Sequence, residues 1–270
     1  MENQPLISVV TVCYNAATTI EKTILSVLNQ SYSKVEYIII DGRSTDGTVD
    51  IIKKYADRLA YWVSEPDEGI YDAMNKGIAI ATGEYINFMN SGDYFVNNYV
   101  LADIAESARG KCVDVIFGDV VYLIDGDYYE VKARPFYSDP SVKHSMGFCH
   151  QSCFVKTDLA KHFPFDLRYK LAADYNMIIT IFRNNGVFNH VNIPVAFYDM
   201  NGASNQERLQ HETEIFFIDR PQSPIANYVE VRIRAITRYI KRYTKCVLLK
   251  VAPELIKLKR TVDNKKKVCI

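Results

Sequence analysis

Several features are missing from this 270-residue sequence, and each absence narrows the reading. No Gly-x-Gly-x-x-Gly follows the first apolar run and no Gly-Lys-Ser/Thr loop occurs, so neither a dinucleotide fingerprint nor a P-loop phosphate cradle is indicated. No apolar run of about 18 residues is present to span a bilayer, and residues 1–20 lack the basic start and apolar core of a signal peptide. The six cysteines, at 13, 112, 149, 153, 246 and 269, form no Cys-x-x-Cys pair and sit mostly among apolar neighbours. That suits buried reduced thiols rather than disulfides and points to a cytoplasmic compartment. His144, His150, Cys149 and Cys153 have no second pair at finger spacing, which argues against zinc. Cys269 is next to last, the wrong place for prenylation, and no internal repeat or low-complexity tract is visible.

What is present is ample for a core: 48% of residues are hydrophobic, and the length suits one large domain or a domain with an appendage. The formal charge is zero but unevenly spread. Residues 228–270 carry 13 Lys/Arg against 3 Asp/Glu, leaving 19 basic and 29 acidic residues before them. A basic tail thus follows an acidic body.

Residues 6–13 form a β-branched run that exits at Tyr14-Asn15, reading as a first strand. Thr18 and Glu21 have capping-box spacing, and Ile20, Ile24, Val27 and Leu28 repeat at helical intervals. Residues 35–40 form a second strand, and Asp41 to Thr48 turns into a helix through Val49, Ile52 and Tyr55. Tyr61-Trp62-Val63 is a third strand, with a helix through Tyr71, Met74, Ile78 and Ala81 after the loop that holds Asp67. Tandem βα units imply a parallel sheet. Residues 84–93 read as a buried strand running through the Ser91-Gly92 turn onto Asp93, at the strand's carboxyl end, where ligands bind in open α/β sheets. Tyr14-Asn15, Asp41 and Asp67 converge on that edge. Asp46 reads as a helix cap, whereas Asp41 comes too early for one. With no glycine-rich cradle, a diphosphate here would be neutralised through a hard divalent cation, Mg²⁺ or Mn²⁺, on Asp93.

Four collinear segments carry a resemblance: residues 8–15; Asp41 with Ser44-Thr45-Asp46-Gly47-Thr48; Gly69-Ile70-Tyr71-Asp72-Ala73-Met74-Asn75-Lys76-Gly77; and Asn90-Ser91-Gly92-Asp93. Together they resemble the family 2 glycosyltransferases. The resemblance implies an α/β GT-A (nucleotide-diphospho-sugar transferase) fold, with a mostly parallel central sheet flanked by helices. It also implies nucleotide-sugar contacts from Thr11, Tyr14, Asn15, Asp41, Asp67 and Gly92, and a metal with donor diphosphate, usually uridine-linked, at Asp93. The sequence departs from the family's acidic turn at Asn90 and Gly92, and Met74 stands where an arginine is frequent. Lys76 is either a substitute for that cation or a solvated helix lysine.

Farther on, residues 113–117 and 120–124 read as strands, the second forming a hairpin with residues 128–132 across Asp125-Gly126-Asp127. His150-Gln151-Ser152 resembles a family segment bordering the acceptor, although a buried structural histidine fits as well. A helix through Met177, Ile178, Ile181 and Phe182 carries Asp174 near its first turn. Resemblance makes Asp174 the catalytic base, where helix chemistry alone would make it a dipole partner. Residues 191–197 are a last strand, and Asn201 to Ser204 resembles a loop that closes over the site.

From Val229 the apolar positions Ile233, Ile236, Ile240, Tyr243 and Val247 alternate with basic ones, as in a basic amphipathic helix. It either meets an anionic membrane surface peripherally or folds back on the acidic body. No recognition motif accompanies the charge, so nucleic acid is not expected. The expected organisation is a domain over residues 1–227, with a nucleotide-sugar half (1–110) and an acceptor half (111–227), and a tail over 228–270. The activity implied is inverting sugar transfer from a nucleoside diphosphate sugar to a hydroxyl of a glycan or lipid-linked acceptor, in surface polysaccharide or oligosaccharide synthesis. Two other classes remain open: a sugar-nucleotide or glycan-binding module of the same fold, and a nucleotidyltransferase.

Overall fold

A computed structural model describes residues 4–124, 127–134, 145–198, 207–219 and 233. The tail helix, the turn at residues 125–126 and the loop at 201–204 lie outside the described residues, Ile233 apart. The chain divides into a unit of Met1–Ile215 and a second of Phe216–Ile270. Among the described residues no helix is long and apolar enough to cross a membrane.

The first half alternates strand and helix. Strand β1 (Ile7–Cys13) is buried along its whole length, as expected of an apolar run covered on both faces. It pairs in parallel with β2 (Val35–Asp41) on one side and β4 (Tyr85–Phe88) on the other, and β2 pairs in parallel with β3 (Tyr61–Ser64). Helix α1 (Ile20–Leu28) buries Ile20, Thr23, Ile24 and Val27, one stripe at three- and four-residue spacing. Each fully buried aliphatic side chain there contributes about 1.5–3 kcal/mol. The expected Thr18–Glu21 capping box is corrected: the N-cap is Thr19, without a side-chain cap bond, and Glu21 instead accepts from Tyr55 Oη at 2.9 Å. Helix α2 (Thr48–Lys53) is short. Helix α3 (Ile70–Ile80) packs over β1 and β2, and Gly77 is what lets it approach, since a Cβ there would lie 2.5 Å from Val10 Cγ1.

Past β4 the chain forms a two-residue strand β5 (Tyr94–Phe95), helix α4 (Val100–Ala108) and the long strand β6 (Val115–Ile124), which pairs antiparallel with β7 (Asp127–Val131). The two strands expected around Gly118-Asp119 are one strand with a bulge at that point. Buried Asp119 pins the bulge, accepting from Lys132 Nζ and the Ala133 N–H at 2.8 Å each. Strand β8 (Cys153–Lys156), helix α5 (Thr157–His162), helix α6 (Ala173–Arg183), strand β9 (Phe188–Tyr198) and helix α7 (Arg208–Asp219) complete the described elements.

The nine strands among the described residues run β3-β2-β1-β4-β8-β6-β9-β5, with β7 on β6. The sheet is parallel from β3 to β4, and β8 then enters antiparallel between β4 and β6. Two consequences follow for the site. Strands β2 and β4 flank β1 on opposite sides, opening a crevice beyond its carboxyl end. Because β8 runs antiparallel, its amino end, with the 3₁₀ turn His150–Ser152 before it, lies beside the carboxyl end of β4.

Candidate active site

The turn after β4 is built from the strand outward. Met89 N–H and Ser91 N–H donate to Val10 O and Val12 O, so the segment follows β1 beyond the last ladder pair. Gly92 has φ +103°, a left-handed conformation that a side chain would strain. Its N–H donates to Thr23 Oγ1 at 3.1 Å, and that hydroxyl donates to Asp93 O at 2.8 Å. The turn is thereby tied to α1, and Asp93, only 6% exposed, accepts from Gln151 Nε2 at 2.9 Å.

The 3₁₀ turn brings in the second carboxylate. Asn87 Nδ2 on β4 donates to the carbonyls of Gln151 and Cys153, fastening the turn to the strand. His150 then bridges two elements: Nε2 lies 3.3 Å from Asn90 Nδ2, and Nδ1 lies 3.4 Å from Asp174 Oδ2. The Nδ1 proton faces the carboxylate. Tyr71, in the first turn of α3, donates to Asp174 Oδ1 at 2.9 Å. Burial works to raise the pKa of Asp174, but the hydrogen bond and charge of His150 and the charge of His211 outweigh it and hold the carboxyl below the usual aspartate range. Burial, and then the Asp174 charge, push the Tyr71 hydroxyl well above its ordinary value, so it remains a donor.

These groups line one cleft of about 510 Å³. Gly92, Asp93, His150, Gln151 and Asp174 meet there, as does Asn90. Tyr122, Phe148 and Tyr198 supply aromatic lining, Lys170 a cationic group and His211 an imidazole. Cys149 also borders it, its thiol near Tyr122 Oη and pushed up by burial to about 11, which keeps it protonated.

The other sequence-derived contacts stand elsewhere. Tyr14 is 67% exposed on the loop after β1. Asn15, at φ +47°, accepts from Thr45 N–H through Oδ1 and donates its own N–H to Ser44 Oγ, stapling that loop to the one after β2. Asp46 does the same, accepting from Ala17 N–H and from the N–H and hydroxyl of Thr48. A Cβ at Gly42 would come 2.5 Å from Asp67 Oδ2 and 3.4 Å from Tyr14 Cδ2, so the three loops do converge. Two of the residues are saturated within the sheet. Thr11 is fully buried, its hydroxyl donating to Met89 O and paired with Tyr37 Oη, and so supports the sheet. Asp41 is likewise fully buried, its carboxylate accepting from Ser44 N–H and Oγ, Ser64 Oγ and Cys13 Sγ. Cys112 is exposed, against the expectation of buried thiols, whereas Cys13 and Cys153 are buried.

Among the described residues no three His, Cys, Asp or Glu side chains cluster as a metal cage. A Mg²⁺-like ion does not need one, since one or two carboxylates and substrate phosphates suffice. Asp93 supplies the carboxylate. Two buried oxygens that lack a partner, Asn90 Oδ1 in the same turn and Gln151 Oε1 on the residue that bonds Asp93, add hard donors. The residues present fit a lightly held cation.

Tyr71 and Asn90 were not read as site residues. Both stood inside segments that carried the resemblance, and the signal for Tyr71 was its place in the first turn of a helix beginning at the sheet's carboxyl edge. Lys170 and His211 had no sequence signal.

The family model described as Glycosyl transferase family 2 matches residues 8–165. An uncharacterized glycosyltransferase of Mycobacterium tuberculosis is 35% identical over 182 residues, covering 66% of this chain and 70% of that protein. Among solved structures, Staphylococcus aureus TarS 1-349 in complex with UDP aligns with a TM-score of 0.63 at 21% identity. That alignment covers 79% of this chain and 65% of TarS 1-349, so the chain spans less than two thirds of that neighbour. The mannosyltransferase PcManGT of Pyrobaculum calidifontis, in complex with GDP-Man and Mn²⁺, aligns with a TM-score of 0.64 at 18% identity, covering 93% of this chain and 82% of the other. At such identities the two structures establish a shared glycosyltransferase fold, while the family match reaches over more than half of the sequence, and on that ground the chain belongs to glycosyl transferase family 2.

Proposed function

We propose that this glycosyltransferase inverts configuration, moving a sugar from a UDP-linked donor to a hydroxyl of a glycan or lipid-linked acceptor with the help of Mg²⁺ or Mn²⁺. The observation that carries the reading is the pairing of two carboxylates in one cleft, Asp93 on the donor turn and Asp174 on α6, coupled through the adjacent residues His150 and Gln151. The solved neighbours support the donor class, one holding UDP and the other GDP-Man with Mn²⁺.

Asp174, ionised at neutral pH and 13% exposed, takes the proton of the acceptor hydroxyl. The freed oxygen attacks the anomeric carbon as the bond from that carbon to the diphosphate oxygen breaks, in one displacement from the opposite face. Tyr71 and His150 keep the carboxylate aimed throughout. A divalent ion held at Asp93 would supply charge neutralisation for the leaving diphosphate. Tyr14, exposed beside Asp67, is available to the nucleoside. The basic tail would keep the enzyme peripherally on an anionic membrane face, near a lipid-linked acceptor.

Nucleotide release from a panel of UDP-sugars, with and without Mn²⁺, tests this. Asp93→Asn should lose metal-dependent release, and Asp174→Asn should lower transfer by roughly two to four decades while UDP still binds. Full transfer by Asp174→Asn would refute the base. Retained UDP binding with no transfer by the parent protein on any donor would favour the binding-module reading.

A further inference from the structure

Helix α6 begins without a cap of its own: its N-cap residue is Ala172, which offers no side-chain oxygen to the first-turn amides. The segment that enters the helix is instead held by another element. Glu214, on α7, accepts the Lys170 N–H at 3.1 Å through Oε1, and the Leu171 and Ala172 N–H groups at 2.8 and 3.0 Å through Oε2. Three successive main-chain donors thus close on one carboxylate two residues before Asp174. Leu171 and Ala172 are buried, so water does not readily replace their two bonds, whereas the Lys170 bond is exposed. On the same face of α7, His211 and Ile215 line the cleft, as do Lys170, Leu171 and Asp174, so the clamp lies directly behind the wall that presents the base.

The donor turn's main chain is held differently. The Asn90–Asp93 turn hangs on β1 and on Thr23 of α1, and its side chains meet α6 only through the 3₁₀ turn, where His150 lies between Asn90 and Asp174 and Gln151 bonds Asp93.

We propose that Glu214 is a positioning residue for the transfer reaction, fixing the Asp174 carboxylate by clamping, from α7, the segment that enters α6. This rests on Asp174 being the base. Because the main chain of the donor turn is held by β1 and Thr23, a kinetic consequence follows: loss of Glu214 misplaces the base and leaves donor binding largely in place. A displacement of about 1 Å in a reacting group can lower turnover roughly 100-fold.

The test uses the full chain, with kcat read as nucleotide release from the UDP-sugar that supports turnover and donor-side integrity read from UDP binding in the presence of Mn²⁺. Glu214→Ala should lower kcat by roughly 10- to 100-fold with UDP affinity unchanged, and the Leu171 and Ala172 amides should lose protection in hydrogen exchange. Glu214→Gln keeps a carbonyl oxygen for those two amides and should recover most of kcat. Parental kcat in Glu214→Ala, equal loss of kcat and UDP affinity, or undiminished protection of the two amides would each overturn the proposal. Asp174→Asn, assayed alongside, separates the two readings. Parental kcat there removes the base assignment and the positioning role with it, whereas an inactive Asp174→Asn with a fully active Glu214→Ala overturns the positioning role alone.

Discussion

The most discriminating substitution is Asp41→Asn, because sequence and structure give this carboxylate different work. If Asp41 touches the nucleoside, the amide should weaken nucleotide binding and leave stability alone. The structure gives the reverse order of effects. Asp41 is fully buried, and its oxygens take three strong donors, Ser44 N–H, Ser44 Oγ and Ser64 Oγ, besides the weak thiol of Cys13. A hydrogen bond to a charged group is worth about 1.5–3 kcal/mol and a neutral one about 0.5–1.5, so converting three of them loses about 3–4 kcal/mol. Release from burying a charge offsets part of that, leaving about 2 kcal/mol net. For a domain of this size the melting temperature should fall by about 4–8 °C. Differential scanning fluorimetry with and without UDP and Mn²⁺ reads both quantities. A melting temperature within about 1 °C of the parent, together with a tenfold or greater loss of UDP affinity, would refute the reasoning and restore Asp41 as a direct contact.

His150→Gln removes the imidazole interactions that do most to hold the Asp174 pKa down, leaving burial opposed by the His211 charge and the Tyr175 main chain. A depressed carboxyl is active above its pKa and lost below it, so the acid limb of the kcat/KM profile should move to higher pH. An unmoved limb would dissociate His150 from the base. Gly77→Ala should cost about 1–3 kcal/mol by overpacking, since its Cβ would meet Val10 Cγ1 at 2.5 Å; denaturant melts that superimpose on the parent would contradict the close approach of α3 to β1.

The parallel half was legible because its signals are local. Strands β1, β2 and β4 are mostly β-branched or apolar, and the helices between them carry periodic stripes, with Gly47 and Gly69 opening α2 and α3 and Gly83 following the end of α3. Helix α4 was missed although its pattern was present, with Val100, Leu101, Ile104, Ala105 and Ala108 all buried on one face. Strand β8 was not readable in the same way. Four residues carry no period, and its antiparallel insertion between β4 and β6 depends on pairing across more than sixty residues. The site divides similarly. Asp93 and Asp174 could be found from their positions at element ends, but that Asp41 is saturated depends on Ser64, 23 residues away, and on the thiol of Cys13, 28 residues before it. No local pattern records such a closure, so an aspartate at a strand end looks the same whether it faces a ligand or the core.

The late arrival of β8 also bears on synthesis. Strand β4 ends at Phe88 and its second partner begins at Cys153. A ribosome adding about 5–20 residues per second covers those roughly 65 residues in about 3–13 s, and throughout that interval one edge of β4 has no mate. The edge is Tyr-Ile-Asn-Phe, without lysine, proline or bulge to discourage a neighbouring nascent chain. Substitutions that slow the pairing of β8 would therefore lower the yield of soluble protein even where the finished molecule is as stable as its parent.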